Sequence, residues 1–226
     1  MHLLFDLDGT LVDPGRGIIG SVQYALDRLG APVPPAGDLG WVIGPPLRIS
    51  FAKLLGGPER AEEAITLYRQ RYLGGAMFDA AVYEGLPQAL DAVRTAGYRL
   101  LVATSKPHRY ARPILEHFDL AGQFAAVYGP ELDGTNDHKA DLIANMIERE
   151  GILPEAAIMI GDRDFDVTAA SRNGIRAIGV TWGYGSAKEL TAAGAAALCH
   201  APTLLAATLI GLQNGRPLSP LAREED

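Results

Sequence analysis

A single cysteine, Cys199, stands among 226 residues, so no disulfide closes within the chain and a reducing compartment is its natural home. No stretch approaches the roughly 18 apolar residues that suggest a membrane span. The N-terminus lacks the basic segment and long apolar run of a secretory signal, and begins a strand-like run at once. Positive charge is also scarce: 20 Lys and Arg against 27 Asp and Glu give a net charge of −7. That balance argues against binding nucleic acid polymers, which want a basic surface. It leaves anionic small molecules open, because a metal and a few local cations can reverse the sign inside a pocket. The remainder, 48% hydrophobic and 21% charged, is ordinary for a soluble globular protein, here expected in the cytoplasm. The length fits one large domain or two small ones.

The chain is organised around Leu3-Leu4-Phe5-Asp6-Leu7-Asp8-Gly9-Thr10-Leu11-Val12-Asp13. An apolar strand-like run ends in two aspartates at i and i+2, which point to the same side of an extended segment. Two carboxylates in one small volume repel unless something positive sits between them. A hard cation such as Mg²⁺ meets that demand with oxygen ligands. An Asp-rich turn after a strand is the plainer reading. Against it, Asp6 is flanked by Phe5 and Leu7, and a lone buried carboxylate is expensive.

Beyond this run, Ile18, Ile19, Val22, Ala25, Leu26 and Leu29 recur at helical spacing until Gly30. Helices are also expected over Arg48 to Leu55 and Glu59 to Tyr72, and nothing from 14 to 80 reads as a buried strand. After Gly85 the pattern alternates. Strands are predicted at Tyr98–Thr104, Ala125–Tyr128, Ala157–Ile160 and Arg176–Thr181, with helices near His108–His117, Lys139–Glu150 and Phe165–Asn173 between them. A short strand within Ala195–His200 and a helix at Thr203–Leu212 close the pattern, and the tail Arg223–Asp226 reads as solvated and frayed. Such alternation predicts an α/β fold: a Rossmann-like parallel sheet with helices on both faces. The first two strands lie much farther apart than one crossover needs, so the helical block between them reads as an insertion. The expected division is a core of residues 1–13 and 83–226 and a small α-helical block of residues 14–82 inserted after the first strand.

Asp-Leu-Asp-Gly-Thr-Leu-Val-Asp at 6–13 resembles the first motif of the haloacid-dehalogenase-like hydrolases, in their phosphatase branch, and within it the phosphoglycolate phosphatase group. The resemblance continues through Thr104, Lys139, and Asp162 with Asp166, matching the family's second, third and fourth motifs, and spans about Leu3 to Gly185. It implies that the inserted helices form a cap over the active site. All these residues fall where ligands sit in open parallel sheets, outside the carboxyl ends of the strands. In this reading Asp6 is the nucleophile that forms an aspartyl-phosphate, and Asp8 is the general acid and then the base for water. Thr104 and Ser105 hold phosphoryl oxygens, with Gly9 also at the substrate, and Lys139 places a cation where charge gathers. Mg²⁺ would be held by Asp6, the backbone carbonyl of Asp8, Asp162 and Asp166. Each has a plainer role too: Thr104 and Ser105 as strand end and helix cap, Lys139 as a surface lysine, Asp162 and Asp166 as partners of a helix N-terminus.

Arg48, beside Gly44-Pro45-Pro46-Leu47, is the candidate to pair with a substrate carboxylate or second phosphate, against a solvated helix face. His108, Arg109 and Arg112 read equally well as an exposed basic turn, and Trp182-Gly183-Tyr184-Gly185 as a Gly-rich loop after a strand. A dehalogenase would have replaced Asp8, and a non-catalytic relative would be expected to have lost one of Asp6, Asp8, Lys139 or Asp162. A sugar-phosphate mutase keeps both aspartates and is less clearly separated. The expected partner is a small phosphorylated metabolite, met by a monomer or homodimer. Phosphoglycolate is the leading reading, whereas Gly161-Asp162-Arg163 and Gly183-Tyr184-Gly185 lean towards a 5′-nucleotidase-like subgroup. A small acid wants a tight cationic pocket; a nucleotide wants an aromatic face, for which Trp41, Tyr72 and Tyr184 are candidates.

Overall fold

Apolar runs of three to five residues that can bury both faces dictate the centre of the molecule. The computed structural model describes residues 1–131 and 135–215, so the expected behaviour of Arg223–Asp226 lies outside the described residues. Six strands form one parallel sheet: β1 (His2–Phe5), β4 (Arg99–Ala103), β5 (Ala126–Tyr128), β6 (Ala157–Gly161), β7 (Arg176–Val180) and β8 (Ala197–Cys199), in the order β5-β4-β1-β6-β7-β8. β1 is central, with Leu3 beside Leu100 on one side and Ile158 on the other. Alternation then sorts side chains to the two faces. Leu3, Phe5, Leu100, Val102, Ile158 and Ile160 face one core cluster, and Leu4, Leu101, Ala103 and Met159 the other. Leu3, Leu4 and Phe5 are fully or almost fully buried, each worth roughly 1.5–3 kcal/mol of hydrophobic stabilisation.

Helices cover both faces. On the Phe5 side lie α4 (Leu86–Thr95), α5 (His108–His117) and α9 (Leu205–Gln213); on the Leu4 side lie α6 (Lys139–Glu150), α7 (Asp164–Arg172) and α8 (Ala187–Ala192). Each turns its apolar stripe to the sheet, as Leu86, Leu90 and Val93 do on α4 and Leu142, Ile143 and Met146 on α6. The chain leaves β1 for β4 and β5 on one side, then returns to β6, β7 and β8 on the other. The strand order therefore reverses around β1, the place where open α/β sheets build their sites.

The helical insertion begins with β2 (Val12–Asp13) and ends with β3 (Ala81–Val82), two-residue strands paired antiparallel as a ribbon that closes its base. That ribbon has no sequence signature, because two residues are too few to show a period. Between them lie α1 (Gly15–Arg28), α2 (Leu47–Leu55) and α3 (Ala61–Leu73). Val22, Ala25 and Leu26 of α1, Phe51 of α2 and Ala64, Ile65 and Tyr68 of α3 are buried in the same cluster as Phe5. The insertion thus shares the core of the sheet face it adjoins. No helix among the described residues is long and apolar enough to cross a membrane.

Candidate active site

The ends of β1 and β6 bring the acids together. β1 stops at Phe5, but the Asp6 N–H still donates to Ile160 O at 2.9 Å, holding Asp6 beside β6. The chain then tightens: the Leu11 N–H donates to Leu7 O at 2.9 Å and the Gly9 N–H to Val12 O at 2.8 Å. Gly9 has φ +85° in this turn, and a Cβ there would lie 2.2 Å from Asp162 Oδ2. Its N–H being spent on Val12, Gly9 supplies the site with room rather than a donor. Gly161 does the same at β6, where a Cβ would fall 2.2 Å from Asp166 Oδ2. Gly9→Ala combines left-handed strain with a clash against a fully buried carboxylate. It is expected to lower stability by about 2–4 kcal/mol and to weaken cation binding, both readable by thermal unfolding with and without Mg²⁺. A variant as stable as the wild type, with the same response to Mg²⁺, would speak against this packing.

Asp6, Asp162 and Asp166 are all buried, and one carboxylate oxygen from each lies within 4.8 Å of the others. Asp162 is seated by its neighbours: the Tyr184 N–H donates to its Oδ2 at 2.8 Å and Thr10 Oγ1 donates to its Oδ1 at 3.3 Å. The loop after β7 is therefore more than a connector, and Trp182 Nε1, donating to Thr10 O at 3.1 Å, pins it down. Asp166 sits in the first turn of α7, where it accepts the Arg163 N–H at 3.0 Å on Oδ2, and Oδ1 accepts from Lys139. The helix-end role and the site role are here one residue's two oxygens.

Lys139 opens α6 with its side chain buried, 2.8 Å from Asp6 Oδ1 as well as bonded to Asp166. Burial opposes its charge, but Asp166 and then Asp6 outweigh burial and raise its pKa. One ammonium does not satisfy three carboxylates. Burial, and then repulsion from Asp166 and Asp6, pushes the Asp162 carboxyl well above its ordinary range. Burial likewise lifts Asp166, against the pull of Lys139, to about 6. Three oxygen donors converging with surplus negative charge, in space two glycines keep clear, fit a divalent cation.

Asp8 stands apart from this triad. It forms its pair with Lys106, whose Nζ is 2.8 Å from Oδ1 and 2.7 Å from Oδ2, the two side chains being 14% and 8% exposed. Burial raises the Asp8 pKa and Lys106 opposes it. Thr104 is buried at the end of β4, its Oγ1 accepting the Lys106 N–H at 3.2 Å, while Ser105 is exposed in the turn that follows. Arg48 is placed elsewhere: its guanidinium, largely exposed on α2, is 2.7 Å from Glu62 on α3. His108 and Arg112 likewise have partners of their own, Glu131 at 3.5 Å and Glu116 at 3.2 Å. Sequence reasoning gave Lys106 no role of its own: Lys106-Pro107 counted only as a resemblance to the family's phosphatase branch, in support of Thr104 and Ser105. Its signal was available only as Thr104-Ser105-Lys106-Pro107, which alone does not distinguish a buried lysine from a surface one.

A family model described as haloacid dehalogenase-like hydrolase matches residues 3–180. The chain belongs to that family. Over 213 residues it is 46% identical to a 5′-nucleotidase of Pseudomonas aeruginosa, covering 94% of this chain and 93% of the relative. A tyrosine-protein kinase PtkA of Mycobacterium tuberculosis is 40% identical over 203 residues, 89% of this chain and 69% of that protein. A phosphoglycolate phosphatase of Aquifex aeolicus is 30% identical over 182 residues, 80% and 85% of the two chains. Among solved structures, a predicted phosphatase from Clostridium acetobutylicum superposes with a TM-score of 0.88 at 40% identity, covering 92% of this chain and 97% of that one. This member of the haloacid dehalogenase-like hydrolases is a phosphatase, and its parallel α/β sheet is the family's.

Proposed function

We propose that the protein is a Mg²⁺-dependent phosphatase that hydrolyses a small phosphomonoester through an aspartyl-phosphate on Asp6. The observation that carries this reading is the buried cluster of Asp6, Asp162 and Asp166 gripped by Lys139 at the switch point of the sheet. Asp6, Asp162 and Asp166, with the backbone carbonyl of Asp8, would hold the cation. When bound, it would screen the repulsion between the Asp6 carboxylate and the anionic phosphate.

The chain's own groups then divide the work. A carboxylate oxygen of Asp6 attacks phosphorus and the bond to the ester oxygen breaks. Asp8 gives its proton to that oxygen, and in the second half takes one from the water that releases phosphate and regenerates Asp6. Lys139 orients Asp6 through the 2.8 Å contact and offers positive charge to the phosphoryl oxygens. Thr104 Oγ1 and the Ser105 backbone N–H supply further donors at the end of β4. The inserted helices 14–82 act as a cap that keeps bulk water from the site.

For the substrate class we favour nucleoside 5′-monophosphates. Support comes from the 46% identical 5′-nucleotidase, which is matched over almost the whole of both chains. A small phosphorylated acid such as 2-phosphoglycolate is the second reading, supported by the 30% identical phosphoglycolate phosphatase. Phosphate release from nucleoside monophosphates, 2-phosphoglycolate, sugar phosphates and an aromatic phosphate, with Mg²⁺ and with chelator, separates them. A nucleoside monophosphate is expected to give a kcat/KM at least about tenfold above the other members, a preference worth about 1.4 kcal/mol, and chelator is expected to abolish release. Faster turnover of 2-phosphoglycolate would install the second reading, and no release from any member would overturn both.

A further inference from the structure

Lys106 and Tyr72 do not belong to the acidic triad, yet both are buried against Asp8. Lys106 leaves the core at the end of β4, where Thr104 Oγ1 accepts its N–H at 3.2 Å. An ammonium has three N–H donors. Here they face Asp8 Oδ1 at 2.8 Å, Asp8 Oδ2 at 2.7 Å and the Tyr72 hydroxyl at 2.6 Å. The ammonium also lies 5.1 Å from the Tyr72 ring centroid, close enough for a cation–π attraction. Tyr72 belongs to α3 of the insertion, and its ring stacks on Tyr68 at 5.2 Å, which in turn meets Phe51 of α2 edge-on at 6.2 Å. One lysine thus joins an acid at the end of the first strand to the aromatic face of the inserted helices.

We propose that Lys106 is a positioning residue for Asp8, and that Tyr72 makes this positioning depend on the insertion lying closed over the site. The proposal rests on reading Asp8 as the acid and base of the phosphatase. A cation held against both oxygens fixes the carboxylate's rotation, which one hydrogen bond would leave free. A carboxylate that must serve a leaving oxygen and then a water loses rate steeply when its aim drifts. Among the described residues, the Tyr72 hydroxyl is the one group of the insertion that Lys106 bonds. When α3 swings away, Lys106 loses that contact and the stacked ring beside it, and its long stem regains its rotamers. Asp8 is then aimed only while substrate is enclosed, which keeps water from reaching a poised base in the open state.

The test uses the full chain with Mg²⁺ and the best phosphomonoester of the panel. Tyr72→Phe removes only the hydroxyl and keeps the stack; it is expected to lower kcat about tenfold with KM changed less than about threefold. Lys106→Met is expected to lower kcat about a hundredfold, and Lys106→Arg, which can still grip both oxygens, to recover part of that loss. The double variant Tyr72→Phe/Lys106→Met should be no slower than Lys106→Met alone, because both act through one contact. Hydrogen exchange of α3 provides a readout independent of activity: faster in Tyr72→Phe and in Lys106→Met, with no further gain in the double variant. Wild-type kcat in Tyr72→Phe, strictly additive losses, or unchanged exchange in Tyr72→Phe would each overturn the proposal. Were the wild type inert on every phosphoester, the proposed function would fall, and the exchange data would still decide whether Lys106 links core to insertion.

Discussion

Asp6→Asn is expected to lower phosphate release by at least about 10⁴-fold, because the attacking oxygen of the proposed mechanism is lost. The substitution is close to isosteric, and Lys139 keeps its bond to Asp166, so the fold should survive. Two different causes could silence the variant, and they separate cleanly. If Asp6 served only as a cation ligand, raising Mg²⁺ would refill the weakened site and restore turnover. If Asp6 is the nucleophile, saturating Mg²⁺ leaves the variant silent. The covalent step gives a second readout. Acid-quenching the wild type with a ³²P-labelled substrate should trap label on the protein, whereas Asp6→Asn should trap none. Label in Asp6→Asn equal to the wild type, or full rescue by Mg²⁺, would remove Asp6 from the nucleophile role.

Much of this geometry could be read from the sequence because it depends on strand ends. The runs at Leu3, Leu100, Ile158 and Arg176 are short, apolar and bounded by turns, so each declares both a strand and the place where its polar residues emerge. In a parallel sheet all those places share one edge, which is why Asp6, Asp162, Asp166 and Lys139 could be grouped before any distance was known. The strand order could not be read, since pairing leaves no period in the chain. Nor could the partners of isolated charges. The buried Lys106 ammonium bonds Tyr72, 34 residues earlier on α3. Arg48 looked like a pocket cation beside a Gly-Pro-Pro turn, and its partner Glu62 comes from the facing helix of the same insertion. The loop after β7 read as a plain Gly-rich turn. Its hold on Asp162 is a backbone N–H, that of Tyr184, which any residue but proline would supply. Side chains that act through their own chemistry are visible in sequence; contacts set by packing are not.

The metal-free protein is expected to be less stable at pH 7.5 than at pH 5, the reverse of the usual acid sensitivity. The cause is the surplus of carboxylates around Lys139. Most proteins bury carboxylates that favour the charged form, and so lose stability as pH falls. Here the Asp166 carboxyl is lifted by burial, against Lys139, to about 6, above its ordinary 3.8, and Asp162 is lifted in the same direction. Between about pH 4 and 6 the folded chain therefore holds more protons than the unfolded one, and stability falls as pH rises through that window. For Asp166 alone the fall is on the order of 3 kcal/mol by pH 7. About half of that fall, roughly 1.4 kcal/mol, lies between pH 5 and pH 7.5, and a chain of this length loses roughly 2–4 °C of Tm per kcal/mol, so a drop of roughly 3–6 °C is expected in chelator. Mg²⁺ should reverse the trend, because a cation that binds only the folded triad stabilises it by about 2.7 kcal/mol at a hundred times its Kd. Cation binding also favours deprotonated ligands, so the Mg²⁺-induced rise in Tm should be larger at pH 7.5 than at pH 5. Thermal unfolding at the two pH values, with chelator and with Mg²⁺, reads all four states. A Tm in chelator that does not fall between pH 5 and 7.5, or a Mg²⁺ effect equal at both, would mean that the triad is not the charged, cation-seeking cluster its geometry describes.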